Sequence, residues 1–185
     1  TIVAFKVAED PNVLLPVLTT LDGFVTTHAM DNCVMEDDQV VKDYVGDYQP
    51  LYPLLDTENP VGHGMFATLG NGYMKYKLTE RHALDNALKA FEKHGKEWAD
   101  ITGRPFDVVD TWGTEDADYL IVVLGSCAGN ARHQARLLRA EGKKVGVVRP
   151  RIFRPFPAKQ LVEACKNAKA VAVIDRSDSF GSPHA

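Results

Sequence analysis

Six histidines, three cysteines and a basic group near residue 150 are the side chains in this 185-residue chain whose types could do chemistry. The cysteines, Cys33, Cys127 and Cys165, lie far apart. Zinc and iron–sulfur sites usually draw two thiolates from one turn, as in Cys-x-x-Cys, and no such pair occurs. An odd, sparse count gives no disulfide framework and suits a reducing cytoplasm.

Asp22 and His28 invite an acid–base or metal reading, but the H-E-x-x-H spacing of metal helices is absent and no second histidine is near. His63 stands between Gly62 and Gly64, which permit close approach to a ligand; a single backbone hydrogen bond explains it as well. His82, His94 and His133 fall on expected helices and are expected to be exposed. Gly125-Ser-Cys-Ala-Gly-Asn130 follows a strand pattern and opens a helix pattern, where free N–H groups can receive an anion. It is neither G-x-G-x-x-G nor a P-loop, and holds no lysine, so a structural turn is expected. Cys127, at that helix start, has no histidine beside it in sequence to act as a base. Arg149, Arg151 and Arg154 could grip a phosphate or carboxylate bidentately, and inter-domain ion pairs would explain them equally. No catalytic, cofactor-binding or metal-binding residue is assigned from these groups.

The elements that must position them are clearest from residue 118 onward. Tyr119–Leu124, Lys144–Val148 and Lys169–Ile174 are apolar on both faces, the texture of strands in a parallel sheet covered on both sides. Asn130–Glu141, with Ala131, Ala135 and Leu138 on one face and Gly142 after it, is the first crossover helix. Pro157 opens the second, whose expected buried stripe is Leu161, Val162 and Cys165. Upstream, Ile2–Asp10 reads as a helix stopped by Pro11, and its abrupt start suggests missing sequence before it. Val13–Thr20 reads as a buried strand, with Pro16 placing it at an edge or bulge. Gly23 marks a turn or bulge, and Gln39–Tyr44 a short surface helix. Thr79 is the expected cap of a long helix ending near Thr102, weakened at Gly95 and stopped by Gly103 and Pro105; Phe106–Thr111 is a short strand.

From Tyr48 to about Lys77 prolines and glycines alternate and no period persists. Leu51, Tyr52, Leu54, Leu55, Met65, Phe66, Tyr73 and Met74 are too many apolar side chains for a solvated linker. Ordering a residue costs about 1–2 kcal/mol, and burying a large apolar one returns about 1.5–3 kcal/mol. The segment is therefore expected to lie pinned on its own domains or on a partner subunit.

Hydrophobic residues make up 45% of the chain and charged ones 25%, an ordinary globular balance. The net charge of −4 implies no general affinity for nucleic acid or anionic lipid. No apolar run is long enough for a membrane span, and no secretory signal pattern opens the chain.

Leu14-Leu-Pro16 followed by Leu21–His28 resembles the end of the pyrimidine-binding domain in the 2-oxoacid:ferredoxin oxidoreductase family. Thr114–Ser126, Gly142–Pro157 and Ala168–Gly181 resemble that family's second domain, most closely in the α subunit of its pyruvate:ferredoxin oxidoreductase (pyruvate synthase) branch. The resemblance covers nearly the whole chain in the right order. It implies an α/β fold, with a mainly parallel, transketolase C-terminal-like sheet preceded by part of a thiamine-pyrimidine-binding-type domain. It also implies a division into 1–56, a linker at 57–78, and 79–185. The implied activity is the CoA-acylating oxidative decarboxylation of pyruvate to acetyl-CoA and CO2, with electrons passing to ferredoxin. Thiamine diphosphate, Mg2+ and [4Fe-4S] clusters belong to the complete complex, held by a thiamine-binding β subunit and an iron–sulfur subunit rather than by this piece. The chain is then a fragment that ends at Ser182–Ala185 where family members continue, and it supplies scaffold and subunit contacts in the cytoplasm. Two rival readings are a non-catalytic α/β interaction module and a nucleotide-binding domain using Gly125–Asn130.

Overall fold

The structure is a computed structural model that describes residues 1–64, 66, 72–178 and 180–181. The chain divides into two compact units, Thr1–Thr19 with Cys33–Arg104, and Thr20–Asn32 with Pro105–Ala185.

The first unit is helical. Helix α1 (Ile2–Glu9) buries Val3 and Val7, one turn apart, against the long helix α4 (Tyr73–Thr102). On α4 the buried face is Ala87, Ala90, Phe91, His94 and Trp98, the three-and-four spacing of a single stripe. Helix α3 (Asp38–Val45) starts where the Asp37 carboxylate accepts the Gln39 N–H at 2.8 Å. It brings Tyr44 against Trp98, with ring centroids 4.8 Å apart.

Three expectations for this unit are corrected. Val13–Thr20 is not a strand: only Val13 is buried, Leu18 points into solvent, and Pro16 lacks the N–H a ladder needs. Thr79 does not cap α4. The helix begins six residues earlier behind Gly72, and the Thr79 hydroxyl donates to the Lys75 carbonyl at 2.9 Å, as a mid-helix threonine does. Residues 48–64 are irregular, and of the two surfaces expected for them their own domains do not cover Tyr52, Leu54 and Leu55, which are exposed, Leu55 by 88%. Met65, from the same expected group, lies outside the described residues, as do 182–185 at the other end.

The second unit carries a four-stranded sheet in the order β1-β3-β2-β4. Strands β2 (Tyr119–Val123), β3 (Val145–Pro150) and β4 (Ala170–Ile174) run parallel, and β1 (Val109–Trp112) pairs antiparallel with β3. Helix α5 (Cys127–Ala140) connects β2 to β3 and buries Ala128 and Ala135 against Val123, Val145 and Val147. Helix α6 (Ala158–Cys165) connects β3 to β4. The mainly parallel α/β sheet is therefore as expected, with β1 as an additional antiparallel member. Gly146 in β3 is dictated by close approach, since a Cβ there would lie 2.5 Å from the Gly113 carbonyl oxygen.

Two expectations fail at the β4 side. Strand β4 is exposed along its whole length, although its sequence is as apolar as β3. The stripe on α6 is not buried either: Val162 is 69% exposed, and Leu161 and Cys165 are half-buried. A neighbour covers β3 on both edges, whereas β4 has only β2 beside it. A short helix, α2 (Val25–His28), follows Gly23.

Candidate functional site

The carboxyl ends of β2, β3 and β4 open on a cleft of about 670 Å³, lined in part by Asp22, Gly125, Cys127, Arg149, Arg151, Phe153 and Arg176. Ligands of open parallel sheets bind in this position, beyond the strand ends. On one side Asp22 closes the β2–α5 turn. Its carboxylate accepts the Ser126 N–H at 2.6 Å and pairs with Arg176. Hydrogen bonds from Ser126, and then the Arg176 charge, hold the Asp22 carboxyl below its ordinary range. Gly125 sits at φ +63°, and a Cβ there would meet the Asp22 Oδ2 at 2.7 Å, so the turn admits only glycine comfortably.

On the other side three guanidinium groups share one carboxylate. Asp110 pairs with Arg132, with Arg149 at 2.7 Å and more loosely with Arg151 at 3.9 Å. Asp110 faces Arg149 directly across the β1–β3 ladder. The Nε atoms of Arg132 and Arg149 are buried without a hydrogen-bond partner among the described residues. Arg151 lies over the Phe106 ring at 4.6 Å and donates through Nε to the Asp107 carbonyl at 2.9 Å. Burial, and next the Arg149 charge, push the Arg151 pKa down against the pull of Asp110 and Asp107.

The candidates from sequence fare unequally. Arg149 and Arg151 come together as their spacing suggested, but Arg154 stacks by its neighbour Phe153 at 5.5 Å instead of joining them. Asp110 and Arg132 were not legible as their partners, because only the antiparallel register of β1 brings Asp110 opposite Arg149. Asp22 and His28 do not form a pair: Asp22 holds Ser126 and Arg176, while the exposed His28 ring lies 2.9 Å from the Phe24 carbonyl. His63 is exposed and borders a groove with Leu14, Tyr48 and Tyr52. His82 and His133 are exposed, as expected.

His94 is the correction among the histidines, being buried at 4% exposure. Its Nε2 lies 2.9 Å from Asp10 and its Nδ1 3.0 Å from Glu97. An ionised carboxylate only accepts, so the doubly protonated ring is the form that satisfies both. Lys6 reaches Glu97 at 3.2 Å and donates to the Tyr44 carbonyl at 2.7 Å, and the Tyr44 hydroxyl donates to the His94 carbonyl at 2.8 Å. Burial and the nearby Glu97 charge push the Tyr44 hydroxyl up to about 12. No local sequence signal marks this pairing, since Asp10 and His94 lie 84 positions apart.

Among the described residues no group of three His, Cys, Asp or Glu side chains is arranged to hold a metal ion. No helix among them is long and apolar enough to cross a membrane.

Two known families match successive parts of the chain. The family described as pyruvate flavodoxin/ferredoxin oxidoreductase, thiamine diphosphate-binding, matches residues 1–96, just over half of the chain. The pyruvate:ferredoxin oxidoreductase core domain II matches residues 117–185. Pyruvate synthase subunit PorA of Thermotoga maritima is 40% identical over 182 residues, covering 98% of this chain and 46% of that protein. Ketoisovalerate oxidoreductase subunit VorA of Pyrococcus horikoshii is 36% identical over 182 residues, covering 97% and 45%. The solved 2-oxoglutarate:ferredoxin oxidoreductase of Magnetococcus marinus, with 2-oxoglutarate, coenzyme A and succinyl-CoA bound, matches at TM-score 0.41 and 22% identity, over 58% of this chain and 17% of that one. The chain spans about half the length of the curated relatives it matches. With one family covering its first half and a second segment of the same enzyme covering its last third, the chain belongs to the pyruvate:ferredoxin oxidoreductase family.

Proposed function

We propose that this chain forms part of the α-type subunit of a 2-oxoacid:ferredoxin oxidoreductase and contributes scaffold and subunit contacts rather than reacting groups. The activity in this reading is the CoA-dependent oxidative decarboxylation of pyruvate, with electrons delivered to ferredoxin. Pyruvate is favoured by the relatives named pyruvate synthase, and branched-chain 2-oxo acids come next through the ketoisovalerate enzymes. Thiamine diphosphate, Mg2+ and iron–sulfur clusters are held by other subunits or segments, in a cytoplasmic complex. The three free cysteines are compatible with that compartment.

One observation carries the contact role. Leu51, Tyr52, Leu54, Leu55, Tyr73 and Met74 are all exposed along one stretch of the first unit. Apolar exposure on that scale marks an interaction surface. We place the two domains of the reading at 1–56 and 79–185, on either side of the 57–78 segment; α4, which crosses the second boundary, packs on α1.

The test uses the full chain co-expressed with its partner subunits. Native mass spectrometry is expected to find a complex carrying thiamine and iron, and the complex to reduce ferredoxin with pyruvate and CoA. The double change Leu54→Asp with Leu55→Asp is expected to lower recovery of the complex by about tenfold or more. A stable lone chain that needs no partner would instead support an interaction module outside this enzyme class.

A further inference from the structure

We propose that the cleft at the carboxyl ends of β2, β3 and β4 binds a small phosphate-bearing molecule, its phosphate on Arg149 and Arg151 and its organic part against Phe153. The volume of about 670 Å³ lies in the range of small-molecule pockets. Among the described residues Arg132, Arg149 and Arg151 have only Asp110 at ion-pair distance, with side chains 28%, 31% and 28% exposed. Partly buried positive charge, with the Nε donors of Arg132 and Arg149 unpartnered among the described residues, favours a counter-anion. Of the two acidic groups elsewhere in the cleft, Asp22 is balanced by a cation, and Asp175 meets a backbone N–H. Asp22 holds Ser126 and Arg176, and Asp175 accepts the Ser177 N–H at 2.9 Å.

The 14-residue helix α5 begins at Cys127 on the same cleft, adding the partial positive charge of its N-terminus. With Asp107 counted beside Asp110, the three arginines keep about one excess positive charge, and guanidinium forks match the oxygens of a phosphate. Phe153 and Ile174 are half exposed at the rim and give an apolar or aromatic group a surface to cover. The β2–α5 turn lacks the dinucleotide glycine pattern, so the ligand is a simple phosphate ester rather than a dinucleotide.

The experiment titrates the full chain, in its complex, with inorganic pyrophosphate, phenyl phosphate and succinate in calorimetry. Alkylation of Cys127, read by peptide mass spectrometry, is the local readout. Both phosphates are expected to bind and to slow alkylation of Cys127, with succinate weaker by about tenfold. Arg149→Met with Arg151→Met is expected to weaken both phosphates by about tenfold or more and to abolish the protection. The pair Arg149→Lys with Arg151→Lys keeps the charge and is expected to retain part of the affinity. Phe153→Ala, at an exposed position, is expected to weaken phenyl phosphate but not pyrophosphate. The proposal is overturned if neither phosphate binds or protects Cys127, or if the methionine pair binds as the parent does. It is also overturned if succinate or a glutamate-rich peptide binds more tightly than pyrophosphate, which would assign the cleft to a carboxylate or to a protein segment. These outcomes are independent of pyruvate turnover.

Discussion

The buried cluster around His94 and the half-buried cluster around Asp110 both hold charge away from water, but they compensate it differently. His94 lies between Asp10 and Glu97, with Lys6 completing the set, and every charged member meets an opposite one at 3.2 Å or less. Around Asp110 three arginines compete for one carboxylate, and two of their Nε atoms have no partner among the described residues. A charge set that is closed on itself behaves as part of the core; one left with an excess behaves as a receptor. The lesson is that ion-pair geometry alone does not separate structural from functional clusters, whereas charge balance and orphaned donors do.

The sharpest way to break the contrast is His94→Ala in the first cluster. It leaves the Asp10 carboxylate, only 9% exposed, without its partner. The expected loss is about 3 kcal/mol in the denaturant-unfolding free energy of the full chain. Pairing it with Asp10→Ala is expected to cost less than the sum of the two single changes, which a double-mutant cycle measures. Asp110→Ala comes next, at about 2 kcal/mol, because it leaves three guanidinium groups without their shared acceptor while solvent still reaches each of them.

Arg132→Met is expected to cost under about 1 kcal/mol, since Asp110 keeps Arg149 and Arg151 and the excess charge falls. A loss as large as that of His94→Ala would mean that the Asp110 cluster is a closed structural set as well, and the contrast would fail. The smallest effect is in pH dependence. Burial raises the Asp10 and Glu97 carboxyl pKa values, but hydrogen bonds from Asn12 to Asp10, from Lys6 to Glu97 and from His94 to both, with the nearby positive charge, outweigh it and leave both lowered. Their stabilisation is therefore complete above the ordinary values of 3.8 and 4.5 and is lost as pH falls through the lower folded values. Unfolding free energy should fall on acidification through that range, and Asp10→Asn should flatten the decline; an unchanged slope would remove Asp10 from the account.

Legibility followed the range of the interactions. Helix α1, the short helix α3 and the three parallel strands could be read locally, because side-chain period and Pro or Gly stops act within a few residues. The failures required distant partners. Val13–Thr20 has strand composition but no strand to pair with, and β4 has core composition without a covering layer. Of the cleft, Arg149 and Arg151 were visible as a pair two residues apart on one strand end. Their carboxylate partner, and the pairing of Asp22 with residues 104 and 154 positions away, were not.

By itself the sequence determined the α/β class, the strand–helix–strand order of the last third and the family resemblance, since periodicity and motif order are properties of the chain read in one dimension. The tertiary structure alone decided which charges are closed and which are open. Burial and register depend on what folds against each side chain, and they turned an apparently exposed histidine into core and a plain strand–helix turn into one wall of a cationic cleft.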